Sequence, residues 1–112
     1  MKYIKKKKSR KFKVNNKIFL EDCGKIYLND NEQITFVRNE SEYEIVKKDW
    51  GYYATPSINK RLKNFNFRTF ITQNIRNFIY INIVHKENFK SFKKYLKDEK
   101  MTIVKEITNG FL

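Results

Sequence analysis

The stretch D-W-G-Y-Y-A-T-P-S-I-N-K-R-L, Asp49 to Leu62, decides how this chain is read, because the hydrophobic period changes across it. Before it, apolar residues recur at every second position, as in Ile18/Leu20, Ile26/Leu28, Ile34/Phe36 and Tyr43/Ile45. Turn-formers separate them, among them Asp22-Cys23-Gly24 and Asn29-Asp30-Asn31. Period two with such punctuation predicts a β-meander. After it, Ile58, Leu62 and Phe65 recur at i, i+4 and i+7, the spacing of a short amphipathic helix with Lys60, Arg61 and Lys63 off its apolar stripe. Thr55 is expected to cap this helix and Pro56 to occupy its first position. The same stretch contains Trp50, Ala54 and Pro56, each the single residue of its type in the chain.

Working outward, Phe67 to Thr72 and Phe78 to Val84 read as two strands joined by a turn near Gln73 to Asn77. Glu87 to Glu99 reads as a second helix with Phe89, Phe92 and Leu96 inward, and Met101 to Ile107 as a last strand. From about Tyr43 the order is therefore strand, helix, strand, strand, helix, strand. The fold class expected is α+β, with an N-terminal β-meander over 18–48 followed by a ferredoxin-like βαββαβ unit over 49–107. Residues 18–112 are expected as one compact domain and residues 1–17 as a basic, flexible tail. In the strand from Phe78, the side bearing Ile79, Ile81 and Ile83 is expected beneath the helices.

At 112 residues the chain suits a single domain. Lys, Asn, Ile, Phe and Tyr, all with AT-rich codons, fill 63 positions, so the net charge of +13 owes part of its size to composition. Its distribution is more telling. Residues 1–17 carry +9, residues 18–49 carry −4, residues 50–86 carry +6 without one acid, and residues 87–112 carry +2. Cys23 is the one cysteine and His85 the one histidine, which excludes an intramolecular disulfide and zinc sites built on several such ligands. No apolar run is long enough to span a bilayer, and the basic start is followed by no apolar signal core, so a cytoplasmic location is expected.

Three places offer chemistry. At the Asp49–Leu62 corner, the free N–H groups of a helix start, the hydroxyls of Thr55 and Ser57, and the cations Lys60 and Arg61 form an expected anion site. Tyr52 and Tyr53 stand there to stack on a planar or sugar ring, and the competing reading is an ordinary helix cap beside a core Trp50. The second place is an aromatic sheet face made by Arg68, Phe70, Arg76, Phe78 and Tyr80. The octamer R-N-F-I-Y-I-N-I, Arg76 to Ile83, matches in part the strand on which RNA-recognition modules stack bases, and the competing reading buries these rings beneath the meander. The third is the Lys-rich tail, which suits unspecific, salt-sensitive contact with phosphates, or else is a solvated extension. Catalysis fares worse. Cys23 with His85 sits in no recognisable nucleophile signature, and Asp49 has no partner carboxylate, so no catalytic residue, metal or cofactor is assigned.

The block W-G-Y-Y-A-T-P-S-I-N, with D-C-G-K-I upstream and F-N-F-R-T-F downstream, resembles a family of small uncharacterised bacterial proteins encoded among surface-polysaccharide and sugar-nucleotide genes. The resemblance covers most of Leu20 to Ile107 and implies no catalytic residue. Similar chains have Gly before the second strand, where this one has Asn66, a residue that also adopts the left-handed conformation. The resemblance implies a non-enzymatic accessory or binding protein of surface-polysaccharide biosynthesis, with a phosphate, a nucleotide sugar or a glycan-pathway protein as partner. The alternative is a basic nucleic-acid-binding module that uses the tail and the aromatic face.

Overall fold

The computed structural model describes residues 1–14 and 18–111, apart from the side chain of Ser9. More than half of the described residues are strand. In chain order the elements are β1 (Lys2–Lys13), β2 (Phe19–Tyr27), β3 (Gln33–Arg38), β4 (Ser41–Lys48), β5 (Gly51–Ala54), β6 (Phe67–Gln73), β7 (Ile79–His85), α1 (Phe89–Asp98) and β8 (Thr102–Glu106). A π-helical turn, Ile58–Leu62, lies between β5 and β6, and a 3-10 turn, Lys86–Asn88, leads into α1. The strands form three sheets, β1-β2, β3-β4-β5 and β7-β6-β8. The chain divides into two compact units, one of Met1–Ile34 with Ile45–Tyr53 and one of Thr35–Glu44 with Ala54–Leu112.

These sheets overturn the ferredoxin-like α+β expectation. A βαββαβ unit needs its first strand inside the same sheet as the other three, whereas β4 pairs with β3 and β5 in a separate sheet and leaves β6 flanked by β7 and β8. The physical reason lies in the connection from Ala54 to Phe67. A crossover between parallel strands needs a helix long enough to return the chain across a sheet. This connection holds a single turn over Ile58–Leu62, closed by Leu62 N–H donating to the Ser57 carbonyl at 3.0 Å. The described residues are predominantly β, with one α-helix of ten residues.

In the first unit, the segment expected as a flexible tail is β1, antiparallel to β2 with Lys2 opposite Tyr27 and Lys13 opposite Phe19. Residues 15–17 lie outside the described residues. The expected meander is also corrected. Asp22-Cys23-Gly24 makes no turn but lies within the continuous strand β2, opposite a register shift between Lys5 and Arg10 of β1. Gly24 is required there. It has φ +138, and a Cβ built on it would stand 2.2 Å from the Ile4 carbonyl oxygen. Asp22 steadies the irregularity from both sides, accepting from Lys6 Nζ at 2.8 Å and from the Gly24 N–H at 3.2 Å.

In the second unit, the core is Phe70 of β6, Val84 of β7, and Phe92 and Leu96 of α1, with Phe89 and Met101 against it. Ring centroids of Phe92 and Phe89 lie 5.2 and 5.6 Å from that of Phe70. The helix forms because Phe89, Phe92 and Leu96 fall on one stripe while Lys90, Lys93, Lys94 and Lys97 fall off it. It ends at Lys100, whose φ of 53 lets the Met101 N–H return to the Leu96 carbonyl at 2.8 Å. Directly opposed residues of antiparallel strands share a face. Phe70 opposes Asn82, Thr72 opposes Tyr80 and Arg68 opposes Val84, so α1 covers this side of the hairpin. The Ile79/Ile81/Ile83 side is therefore the one away from α1, the reverse of the expectation. Ile79 and Ile81 are about two-thirds exposed.

Candidate functional site

The part of the corner in the second unit, Ala54 to Leu62, is built around a carboxylate that sequence reading did not bring in. Glu44 of β4 is buried, and its Oε2 accepts from Thr55 Oγ1 at 2.5 Å and from Arg61 Nη2. Arg61 Nη2 also reaches Thr55 Oγ1 at 3.1 Å, and the Thr55 N–H donates to the Glu44 carbonyl at 3.1 Å. An ionised carboxylate is costly to bury without partners, and this triangle supplies two donors to Oε2. Ser57, not Thr55, caps the helical turn, its Oγ accepting from the Arg61 N–H at 3.1 Å. Thr55 and Arg61 thus meet at an internal anion, while Ser57 is engaged by the Arg61 backbone N–H. Lys60 is exposed beside them.

Tyr52 and Tyr53 belong to the first unit and are exposed, as is Trp50, which stacks on Tyr53 with centroids 5.9 Å apart. The competing reading of a core Trp50 is overturned by its 66% exposure. Cys23 is exposed on β2 in the first unit and His85 ends β7 in the second. Among the described residues no cluster of three His, Cys, Asp or Glu side chains is arranged to hold a metal. Among the same residues, no helix is long and apolar enough to cross a membrane.

The second set of sequence candidates is divided by the fold. Phe70 is core at 1% exposure. Arg68 is clamped, donating from Nε and Nη2 to the two carboxylate oxygens of Glu106 at 2.9 and 2.7 Å, with its guanidinium carbon 4.2 Å from the Phe89 ring centre. Phe78 and Tyr80 are about half exposed, and Arg76 lies in the exposed β6–β7 turn. The five residues do not share one open face. Arg68 and Thr108 together hold the Glu106 carboxyl down to about 2, with the arginine the larger cause.

Two concavities of the second unit were not signalled by any motif. The first, about 340 Å³, is polar and runs along the β3–β4 turn, lined by Arg38, Asn39, Glu40, Ser41, Asn64, Phe65, Asn66, His85 and Glu87. Asn39 and Asn66 take left-handed φ values of 53 and 65, which is how the chain turns twice beside the same space. With the Asn88 amide turned so that its oxygen faces Arg38, that oxygen accepts from the two guanidinium nitrogens at 2.9 and 3.2 Å, and Arg38 pairs with no carboxylate among the described residues. His85 rests on Phe67, centroids 4.1 Å apart, and burial, then the Arg38 charge, holds its imidazole below the usual histidine range, while Glu87 opposes the shift. The second, about 310 Å³, is mostly apolar and lies on the side of β6 and β7 away from α1. Tyr43, Ala54, Pro56, Ser57, Ile58, Leu62, Thr69, Ile81 and Ile83 line it. Thr69 is fully buried and its hydroxyl has no hydrogen-bond partner among the described residues.

In comparison with known proteins, the chain matches no family model, no curated protein and no solved structure. Its chemistry is read from its own residues. A cation, two carboxylates, three amides and a phenyl ring around one polar cleft are the groups that hydrogen-bond and stack on a polyhydroxylated ligand, with Arg38 available to a phosphate oxygen.

Proposed function

We propose that this is a small cytoplasmic binding protein of surface-polysaccharide biosynthesis that holds a sugar phosphate or nucleotide sugar in the cleft beside His85. The pathway rests on the resemblance of the W-G-Y-Y-A-T-P-S-I-N block, and the ligand class on the cleft. The single observation that supports it most is Arg38, a guanidinium that forms no ion pair among the described residues and lines a cleft rich in hydrogen-bonding groups. Catalysis is not proposed. Among the described residues no hydrogen bond orients the His85 ring, and a general base needs such an orienting partner.

Titration of the labelled protein with a uridine diphosphate sugar tests this. Amide shifts confined to Asn39, Glu40, Asn64 to Asn66 and His85, lost in Arg38→Ala at unchanged melting temperature, are expected. Absence of any response there at saturating ligand overturns the reading. A second reading, nucleic-acid binding, is favoured by the observation that the basic N-terminal segment is a paired strand. β1 displays Lys2, Lys5, Lys6, Lys7, Lys8, Arg10, Lys11 and Lys13 on a two-stranded ribbon, a shape that fits a nucleic-acid groove. Binding to single- or double-stranded nucleic acid that falls steeply with salt, and that survives Arg38→Ala, would support it.

A further inference from the structure

β7 is an edge strand without the usual protection. Natural sheets blunt their edges with charges, Pro, bulges or short strands, because an open row of N–H and C=O groups recruits another strand. From Asn77 to Val84 the chain carries no charge and no Pro, and β7 pairs with β6 over seven consecutive residues without a bulge. The opposite edge, β8, contains Lys105 and Glu106 and is interrupted by a register shift against β6. The phase of hydrogen bonding along β7 follows from two bonds, Lys86 N–H to the Asn66 carbonyl at 2.8 Å and Asn74 N–H to the Phe78 carbonyl at 3.0 Å. Even-numbered residues of β7 therefore bond inward to β6, and Ile79, Ile81 and Ile83 direct their backbone groups to the outer edge. Among the described residues no strand occupies that edge.

We propose that β7 pairs antiparallel with β7 of a second copy about a two-fold axis through Ile81, forming a six-stranded sheet across a homodimer. The occupant follows from self-complementarity. Read in either direction from Ile81, the strand gives a polar-capable residue and then isoleucine: Tyr80 and Ile79 one way, Asn82 and Ile83 the other. In this register Ile81 faces Ile81, Ile79 faces Ile83 of the second copy, and Tyr80 faces Asn82. Each pair is repeated by symmetry, as an isologous interface requires. The three isoleucines whose backbones point outward are the ones that exchange hydrogen bonds. Side chains follow suit: Ile79 and Ile81, wasted in solvent in a single copy, form with their mates a continuous apolar stripe. Ile81 and Ile83 also border the 310 Å³ cavity, so Ile79 and Ile81 of the second copy extend its apolar wall. Charge points the same way. In a chain of +13, an uncharged edge is where two copies can approach without opposing cations, and Arg76 and Lys86 face each other only beyond the paired segment.

Sedimentation equilibrium of the full chain tests the dimer over a wide concentration range and at two salt concentrations. A monomer–dimer equilibrium is expected that tightens with salt, since screening weakens the mutual repulsion of two cationic copies. Ile81→Lys places two ammonium groups on the axis and is expected to raise the dissociation constant at least about tenfold, with melting of the monomer unchanged because the side chain is solvent-exposed. Val104→Lys on β8 serves as the control and leaves the dimer intact. In a Cys23→Ser background, Ile81→Cys is expected to form an intermolecular disulfide under mild oxidation, and Ile103→Cys is not. The proposal is overturned by a monomer at every concentration, by open-ended association beyond the dimer, or by a dimer that Ile81→Lys leaves unchanged.

Discussion

β6 and β7 are neighbours in one hairpin, and their burial is the reverse of their composition. β7, I-Y-I-N-I-V-H, is the more apolar strand and its first three residues are exposed. β6, F-R-T-F-I-T-Q, contains an arginine, two threonines and a glutamine, yet Phe67, Thr69, Phe70 and Thr72 are buried. Place in the sheet accounts for the difference. β6 is flanked by β7 and β8, has α1 on one face, and has the Leu62 turn near the other, whereas β7 has a neighbour on one side alone. Hydrophobicity marks what a strand can bury, and neighbours decide what it does bury.

The comparison is broken most directly at its two extremes. Phe70→Ala is expected to cost about 3–5 kcal/mol, because the ring touches both Phe89 and Phe92 and the space left cannot refill from outside. Ile81→Ala, in dilute solution, should stay within about 0.5 kcal/mol. Urea denaturation measures both, and equal losses would show that β7 is as buried as β6.

The same contrast applies to adjacent cations on the helical turn. Arg61→Ala leaves the buried Glu44 carboxylate with Thr55 alone and is expected to cost about 2 kcal/mol, less than the roughly 3–5 kcal/mol of a fully buried pair because Arg61 is itself partly exposed. Lys60→Ala should be near neutral. A thermal shift of the same size in both variants would mean that Glu44 finds another donor.

Two threonines of β6 sharpen the point within one strand. Both are fully buried, but Thr72 Oγ1 donates to Asn82 Oδ1 at 2.5 Å while the Thr69 hydroxyl has no hydrogen-bond partner among the described residues. Replacing Thr72 with Val is expected to destabilise by about 1 kcal/mol or more, since Asn82 is left unpaired. Thr69→Val should be neutral or stabilise by up to about 1 kcal/mol, because only an unsatisfied group is lost. Loss of stability at position 69 would reveal a hidden partner for that hydroxyl.

The smallest effect concerns the β6–β8 side. Glu106, lowered from an ordinary 4.5 to about 2 by Arg68 and Thr108, stabilises the fold at pH values above about 4.5. Because its folded value is depressed, that contribution is retained at neutral pH and is lost progressively as pH falls from 4.5 towards 2. The side chains of both partners are about a third exposed, so solvent screening reduces it to about 1 kcal/mol. The stability difference between the native chain and Glu106→Gln should therefore shrink across that acid range, and a constant difference would remove the ion pair from the account.

Much of the local structure was legible in the residues. Periodicity placed strands at Phe67 and Phe78, a helix whose inward stripe is Phe89, Phe92 and Leu96, and a last strand after Met101, because each depends on side chains a few positions apart. Asn66, expected to replace a left-handed Gly, has φ 65. The cleft beside His85 was not legible, since Arg38, Asn64 and Glu87 are far apart in sequence and carry no motif.

The sequence by itself determined the basic charge bias, the absence of an intramolecular disulfide and the position of most strands of the second unit. It also marked a break at Thr55–Pro56–Ser57, but the structure moved the cap from Thr55 to Ser57 and placed Pro56 ahead of the cap rather than at the first helical position. Only the tertiary structure decided that β5 joins β3 and β4 rather than β6, that β1 pairs with β2, and that α1 covers Phe70 rather than the isoleucines. It also decided that the anion at the corner is Glu44. Strand partners and buried charge pairs are chosen among non-local alternatives of similar local energy, and the choice is made by which surfaces the whole chain can cover.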